Sequence, residues 1–105
     1  MILLWRQTGL LIKQRQIYLR KGHKAFGDTK IRPCIVVSLD VRNLDSETII
    51  VVPCSSNLDY AVQHVRVKLA KGEGGLESDS IALCDQLAAI PKSYLQSESL
   101  GMIDS

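Results

Sequence analysis

An arginine–proline pair stands directly before an apolar run in the sequence KIRPCIVVSLD, which spans Lys30 to Asp40. Proline has no N–H to give a sheet ladder, so Pro33 suits the first residue of a strand or an edge strand. The residue before a proline is pushed into extended conformations, and Arg32 is therefore predicted to be extended. The pair has two interpretations, a charge positioned at the entrance of a strand or a flank that keeps the strand end soluble.

Charge is unevenly distributed along the 105-residue chain, although its formal net charge is only +2. Positions 13 to 32 contain seven basic residues and one acidic residue, whereas the chain from position 73 onward contains six acidic residues and one basic residue. One end could thus attract a polyanion and the other end a basic partner. The alternative is a solvated surface of mixed sign.

Composition and length favour one ordinary globular domain. The hydrophobic share is 46% and the charged share 23%, as in typical soluble domains, and the length suits a single core. We predict one domain over 1–105, with 1–13 as an N-terminal extension or extra strand, 14–96 as the body and 97–105 as a short tail. The opening MILLWRQTGLLI lacks a basic leader and is too short to span a bilayer, so we predict neither export nor membrane association.

The three cysteines, Cys34, Cys54 and Cys84, lie far apart in the sequence, each beside an apolar run. An odd count without close spacing argues against a disulfide framework and against a zinc site. We predict small buried core residues in a reducing cytosol, with no metal ligands among them.

Strand signals dominate the chain. Short apolar or alternating runs are separated by turn residues, which predicts a small barrel or a strongly curved sheet of five or six strands. Arg66 lies on the wet, basic face of one alternating run, and only Pro91–Leu100 is predicted to be helical. The fold class is mainly β. The predicted strands are Gln16–Arg20, Pro33–Ser38, Glu47–Cys54, Ala61–Leu69 and Ser80–Cys84.

Four segments occur in an order and spacing that resemble a known family: IRPCIVVS, IIVVPCSS, HVRV and GGLESDSIALCDQLAAIPKSYL. Over roughly Gln16 to Leu95, the chain resembles the MazF/PemK/Kid family of toxin–antitoxin ribonucleases. The resemblance implies a small SH3-like curved barrel (PemK/CcdB-type) of five to seven strands with a short C-terminal helix, which forms a homodimer.

The same resemblance implies an activity and partners. Members of the family are toxins of type II toxin–antitoxin systems, sequence-specific, metal-independent endoribonucleases (mRNA interferases) of the cytoplasm that need no cofactor. The 2′-hydroxyl of single-stranded RNA attacks the adjacent phosphate and leaves a cyclic phosphate end. The implied partners are single-stranded RNA and a cognate antitoxin with an acidic tail that covers the groove of the dimer.

Four residues match positions to which the family gives a catalytic role. Arg32 matches the arginine of the Arg-Pro pair, and a guanidinium suits charge stabilisation on phosphate oxygens. Ser55 matches a hydroxyl residue that hydrogen-bonds phosphate, or else it is a turn serine that satisfies local backbone. Asp85 matches a proposed base, or else it is a carboxylate that pairs with a basic neighbour. His23 matches a Gly-His pair, and histidine can act as base or acid near neutrality, although a lone loop histidine is more often a surface residue.

Basic and aromatic residues would supply the contacts to RNA. The basic residues between positions 13 and 32, Arg20 among them, would attract phosphates without regard to base sequence. His64 matches a histidine in some relatives, and Tyr60 is a candidate to stack on an unpaired base. The predicted RNA-binding residues are Lys21, Lys24, Lys30, Tyr60, His64 and Arg66.

The chain departs from the family pattern in three places. Lys24, or Gly27 when counted from Arg32, stands where the loop commonly holds a glutamate, and Leu83 stands where one branch has an arginine. The chain ends at Ser105, before the longer C-terminal helix usual in the family. A second interpretation therefore stays open, a non-catalytic dimer of the same fold that binds RNA or a protein target such as gyrase.

Overall fold

The structure is a computed structural model that describes residues 12–27, 29–58, 66–96 and 98–104. In this part of the chain, seven strands form one antiparallel sheet with the order β4-β5-β3-β2-β1-β7, and β6 pairs with β3 outside that path. The predicted mainly β class is confirmed. The strands are β1 (Gln16–Arg20), β2 (Arg32–Val36), β3 (Thr48–Ser55), β4 (Arg66–Leu69), β5 (Ser80–Leu83), β6 (Ala88–Pro91) and β7 (Gly101–Met102).

Helical structure is minor. The described residues contain one α-helix, α1 (Asp40–Asp45), and no helix long and apolar enough to cross a membrane. Buried Asn43 ties α1 to the sheet, because its amide donates to the carbonyls of Ser38 and Ile12 and accepts from the Ser38 hydroxyl. Single 3-10 turns occur at Lys24–Phe26, Glu73–Gly75, Cys84–Gln86 and Lys92–Tyr94.

The longest strand, β3, organises the sheet. One of its edges pairs with β2, whereas the other edge is shared, with β6 along Thr48–Val51 and with β5 at Cys54 and Ser55. Since two partners leave the same edge in succession, the sheet curls around β3 instead of extending flat. The small barrel or strongly curved sheet predicted from many short strands is thus observed as a curled half-barrel.

Both faces of the central strands are buried, so the molecule has two apolar cores. Alternate residues point to opposite faces of a sheet, and in β2 Cys34 and Val36 enter the first core while Ile35 enters the second. In the same way β3 sends Ile49 and Val51 to one core and Val52 and Cys54 to the other. This double burial explains why β2 and β3 are continuous apolar runs in the sequence.

Most predicted strands are confirmed, with shifted ends, and two local predictions are wrong. Pro91–Leu100 is not a helix, because Pro91 pairs with Thr48 at the end of β6 and only the turn Lys92–Tyr94 follows. The alternation that places Arg66 on the wet face predicts Val67 on the buried face, yet Val67 is 50% exposed. Because β4 ends the described strand order, fewer neighbouring side chains cover it. Residues 1–11 and 59–65 lie outside the described residues, so the predicted N-terminal strand and the start of Ala61–Leu69 do as well.

Candidate active site

Three polar residues lie side by side on neighbouring strands at one end of the sheet. Arg20 of β1 pairs directly with Arg32 of β2. The register that pairs Cys34 with Pro53 places Ser55 of β3 opposite Arg32 when it is continued by two residues. Facing residues in adjacent strands have Cβ atoms about 5 Å apart. We call this set, Arg20, Arg32 and Ser55, the arginine row.

The arginine row lines an open cavity of about 230 Å³. Gln86, from the turn after β5, adds a fourth polar side chain, and none of the lining residues is a carboxylate among those the structure describes. The rest of the lining is mainly apolar, from Phe26, Gly27, Pro53, Cys54 and Leu83. A cavity with two guanidinium groups, a hydroxyl and an amide is suited to a phosphate group.

Arg20 lines this cavity and packs against the loop between β1 and β2. Its side chain is 1% exposed, its guanidinium carbon lies 4.0 Å from the centre of the Phe26 ring, and its Nη1 donates to the Lys21 carbonyl at 3.1 Å. Stacking on an aromatic face stabilises a guanidinium. The loop can close this way because Gly22 has no side chain, since a Cβ there would lie 2.3 Å from the Thr29 backbone.

Ser55 makes a local contact that leaves its proton available. The half-buried Oγ accepts a hydrogen bond from the Asn57 N–H at 3.1 Å. A hydroxyl that accepts one bond can still donate its own hydrogen, and here the cavity lies in reach. The contact with Asn57 agrees with the interpretation of Ser55 as a turn serine, and since Ser55 also lines the cavity, its interpretation as a phosphate donor stays a prediction.

Two buried cysteines, Cys34 and Cys54, lie near Arg20. Burial raises the pKa of each thiol to about 12, an effect larger than the opposing one of the nearby Arg20 charge. Both thiols are therefore protonated near neutral pH and behave as small apolar side chains. The prediction of buried cysteines is confirmed for these two, whereas Cys84 is half-buried against the second core.

Asp85 lies on the other side of the same turn and is engaged elsewhere. Its carboxylate accepts two hydrogen bonds from Arg66 of β4, from Nε at 3.2 Å and from Nη2 at 3.1 Å. The hydrogen bond from Arg66 is the main cause that lowers the pKa of Asp85. This is the alternative interpretation of Asp85, a carboxylate paired with a basic neighbour, and the neighbour is the predicted RNA-binding Arg66.

His23 lines a second depression beside the cavity, which we call the basic recess (Lys21, His23 and Lys24). The half-buried imidazole packs edge-on against Tyr94, with ring centres 5.2 Å apart, and Phe26 lies 6.0 Å away. Gly27 lines both depressions, so the basic recess adjoins the arginine row. The structure therefore groups His23 with Lys21 and Lys24, not with Arg32 and Ser55.

The remaining predicted RNA contacts are placed only in part. Lys30 is exposed in the loop before β2, while Tyr60 and His64 lie outside the described residues. Sequence reasoning missed Gln86 as a lining residue and placed Arg20 among general surface charges. The burial of Arg20 could have been predicted from its spacing in β1. Arg20 lies two residues after buried Tyr18, and residues two apart in a strand point to the same face.

No group of three or more histidine, cysteine, aspartate or glutamate side chains that could hold a metal ion occurs in the described part of the chain. The chemical resources of the site are thus guanidinium, hydroxyl and amide groups, with an imidazole nearby. Such groups stabilise negative charge and orient phosphate oxygens.

Three solved structures share this fold. The Mycobacterium tuberculosis toxin MazF-mt6 superposes with a TM-score of 0.68 at 20% identity, over 87% of this chain and 82% of that one. A structure described as an endoribonuclease in complex with its cognate antitoxin from Mycobacterial species has a TM-score of 0.65 at 17% identity, over 90% and 78%. A structure described as an endoribonuclease from Mycobacterial species has a TM-score of 0.64 at 15% identity, over 90% and 77%.

The sequence itself matches a family model. A search among curated protein sequences finds no match, but residues 13–105 match the model for PemK-like, MazF-like toxins of type II toxin–antitoxin systems. The matched region contains every strand of the sheet described above. The chain therefore belongs to the PemK-like, MazF-like family of type II toxins.

Proposed function

We propose that this protein is a toxin that cleaves single-stranded RNA, mRNA included, as a sequence-specific and metal-independent endoribonuclease. It acts in the cytoplasm as a homodimer and is inhibited by a cognate antitoxin whose acidic tail competes for the basic surface. The family supports a toxin role. Two structural neighbours are described as endoribonucleases, one of them in complex with its cognate antitoxin.

The observation that carries the proposal is the arginine row. In the proposed reaction the RNA 2′-oxygen forms a bond to phosphorus while the bond from phosphorus to the 5′-oxygen breaks. The 2′-hydroxyl loses a proton and the leaving 5′-oxygen gains one. Negative charge accumulates on the phosphate oxygens between these steps, and donors fixed before the reaction stabilise that charge most effectively.

Each member of the cavity takes a defined part. Arg32, half-buried at the start of β2, offers two parallel N–H groups to the phosphate oxygens. Ser55 donates its hydroxyl hydrogen to one of the same oxygens, because its Oγ already accepts from Asn57. Gln86 orients the phosphate or the ribose through its amide.

Proton transfer needs a group other than Asp85. Arg66 lowers the pKa of that carboxyl, which makes it a weaker base, and its two oxygens are occupied by the guanidinium. His23 of the basic recess is the better candidate for moving a proton, because imidazole can accept and donate near neutrality. Lys21 and Lys24, exposed beside His23, attract the phosphates that flank the scissile bond.

The test is cleavage of long single-stranded RNA in EDTA, with analysis of the fragment ends. Wild-type protein should leave cyclic phosphate ends, and Arg32→Ala should leave the RNA intact. Lys71→Ala is a matched control, because Lys71 is exposed in the β4–β5 turn and lies outside both depressions. Absence of cleavage by a verified dimer, across several RNAs, would overturn the nuclease proposal.

One observation favours a second candidate, a non-catalytic relative that binds RNA or a protein target such as gyrase. The ion pair between Arg66 and Asp85 occupies the carboxylate to which the family resemblance gave a base role. A protein that binds single-stranded RNA through the arginine row but leaves it uncut would be this binding relative.

A further inference from the structure

We propose that a cavity on the side of the second core binds one base of the RNA, and that Glu77 selects a base with hydrogen-bond donors on its edge, guanine above all. This inference rests on the proposed function, since it takes single-stranded RNA as the ligand. It adds a base preference that neither the family match nor the structural neighbours specify.

The cavity, which we call the Glu77 pocket, has a volume of about 260 Å³ and adjoins the arginine row, because Arg32 and Cys54 line both cavities. Alternate residues of a strand point to opposite faces of a sheet. Accordingly, Arg20 lines the first cavity, whereas Leu19 and Pro33 line the Glu77 pocket. A phosphate bound at the arginine row would thus have a flanking nucleotide close to the Glu77 pocket.

The size and the apolar part of the lining suit one flat base. Leu76, 3% exposed, and Ile31, 59% exposed, both line the pocket, together with Leu19, Pro33 and Leu100. Drug-sized ligands occupy cavities of about 300 to 1,000 Å³, so a smaller volume matches a single base. The unstacked bases of single-stranded RNA can be splayed out from the strand and enter such sites.

Polar residues complete the lining and determine which base fits. Ser56, Ser78 and Ser80 contribute to it, and Glu77 is the single carboxylate among the lining residues that the structure describes. An ionised carboxylate only accepts hydrogen bonds. The Glu77 pocket therefore favours a base that presents N–H donors and disfavours a base that presents carbonyl oxygens.

Guanine meets this requirement best. Its N1–H and N2–H groups are neighbouring donors that point the same way, so they can bond both oxygens of one carboxylate, as a guanidinium does. Adenine and cytosine each offer one amino group to an acceptor. Uracil has one N–H between two carbonyl oxygens, which a negative carboxylate repels. The expected order of binding is guanine, then adenine and cytosine, then uracil.

The backbone at Glu77 is held on both sides. On one side Leu76 is buried in the second core, and its carbonyl accepts a hydrogen bond from the Gly72 N–H at 2.9 Å. On the other side the Asp79 carboxylate accepts from the Lys71 N–H at 2.8 Å. A segment fixed before binding loses less conformational entropy on binding, so the exposed Glu77 is already placed to discriminate between bases.

The experiment measures binding of RNA that cannot be cleaved by its own 2′-hydroxyl. Short oligonucleotides of 2′-O-methyl uridine carry a 5′-fluorophore and have guanine, adenine, cytosine or uracil as the central base. Fluorescence anisotropy gives the affinity of each protein for each oligonucleotide. The proteins are wild type, Glu77→Gln, Glu77→Asp and, as a matched control, Glu98→Gln. Glu98 is exposed and lines neither cavity nor the basic recess.

Wild-type protein should bind the guanine oligonucleotide about tenfold more tightly than the uracil one, as expected for a two-point contact to a base edge. In Glu77→Gln this preference should fall to about twofold, because the amide keeps only one acceptor oxygen and adds a donor. Glu77→Asp keeps the carboxylate and should recover part of the preference, which a purely structural role of the side chain would not explain. Glu98→Gln removes the same charge elsewhere and should keep the full preference.

Equal binding of the guanine and uracil oligonucleotides by wild type would overturn the inference, and so would a full guanine preference in Glu77→Gln. Failure to bind any of them would refute both the inference and the RNA binding of the proposed function. Wild-type protein that prefers guanine but leaves ordinary RNA intact would refute the nuclease proposal while supporting the Glu77 pocket. Cleavage of ordinary RNA together with equal binding of all four bases would support the nuclease and refute the role of Glu77.

Discussion

Arginine side chains have different surroundings at two sites in this molecule. In the arginine row, Arg20 and Arg32 face each other across adjacent strands, beside a cavity whose described lining has no carboxylate. At the outer edge of the sheet, Arg66 meets Asp85 in a two-point ion pair at 3.1 and 3.2 Å. One site places two guanidinium groups on the lining of a cavity, and at the other site the guanidinium is bound by a carboxylate of the same chain.

The two sites differ in what surrounds each arginine. An exposed ion pair satisfies its own members and contributes little to stability or recognition. Arg20 and Arg32, placed side by side by the sheet register, both line one cavity, and guanidinium groups that line a cavity can hydrogen-bond phosphate oxygens. Residue type alone does not separate these roles, since Arg32 and Arg66 were both predicted to contact RNA.

The comparison predicts the largest effect for Arg32→Ala. Removal of one preorganised donor to a developing negative charge costs about 100- to 1,000-fold in rate. We expect a loss of kcat/KM of that order on single-stranded RNA, measured in EDTA with fluorescent substrates. Lys71→Ala should retain wild-type activity, and an Arg32→Ala protein that remains equally active would remove the arginine row from the chemistry.

Ser55→Ala should produce the next largest effect. It removes one hydroxyl donor to the phosphate while the strand and its pairing with Ile81 remain. A hydrogen bond to a charged group contributes a factor of about 10 to 100, so cleavage should slow by that factor. Thermal unfolding checks that the local contact to Asn57 is not the cause, and an unaffected rate would leave Ser55 as a turn residue only.

Asp85→Asn should change cleavage far less, by less than about fivefold, because exposed ion pairs are worth little. The reason is that Arg66 already lowers the pKa of this carboxyl and holds both oxygens. Single-turnover rates on the same RNA provide the measurement. A cleavage rate two orders of magnitude lower in a folded variant would instead support Asp85 as the base.

The smallest effect concerns stability against pH. Because the folded pKa of Asp85 is lowered, its contribution is present above the unfolded pKa of about 3.9 and disappears as pH falls through the folded value. Wild type should thus have a slightly higher urea midpoint than Asp85→Asn at about pH 6, with the difference vanishing in acid. A difference of the same size across the whole acid range would show that the pair acts through packing instead of charge.

Local patterns were sufficient for the strands but not for the helices. β2 and β3 could be predicted because double burial makes them continuous apolar runs. α1 could not be predicted, because its six residues are too few for a periodic pattern and its anchoring depends on buried Asn43 meeting Ile12, 31 residues away. Pro91 was drawn into β6 by pairing with Thr48, a contact that no local signal contains.

In the candidate site, too, local motifs predicted some residues, whereas others depend on contacts between distant parts of the chain. Arg32 and Ser55 could be predicted from short motifs beside their strands, and both line the cavity. Arg20 could not, because its burial depends on the register between β1 and β2 and on Phe26 folding over it. The partner of Asp85 could not be predicted either, because Arg66 lies 19 residues earlier, in another strand.

The shared edge of β3 bears on how the protein opens and exchanges its amide hydrogens. Strands buried on both faces are the last to unfold locally, and β3 is bonded along one edge to β2 and along the other to β5 and β6. Ser55 is the final residue of that strand, so we expect this side of the cavity to belong to the part of the described sheet that exchanges its amide hydrogens most slowly. The opposite side of the cavity depends on the loop between β1 and β2, because Phe26 of that loop packs over Arg20, so changes in that loop should alter the cavity while Ser55 stays in place.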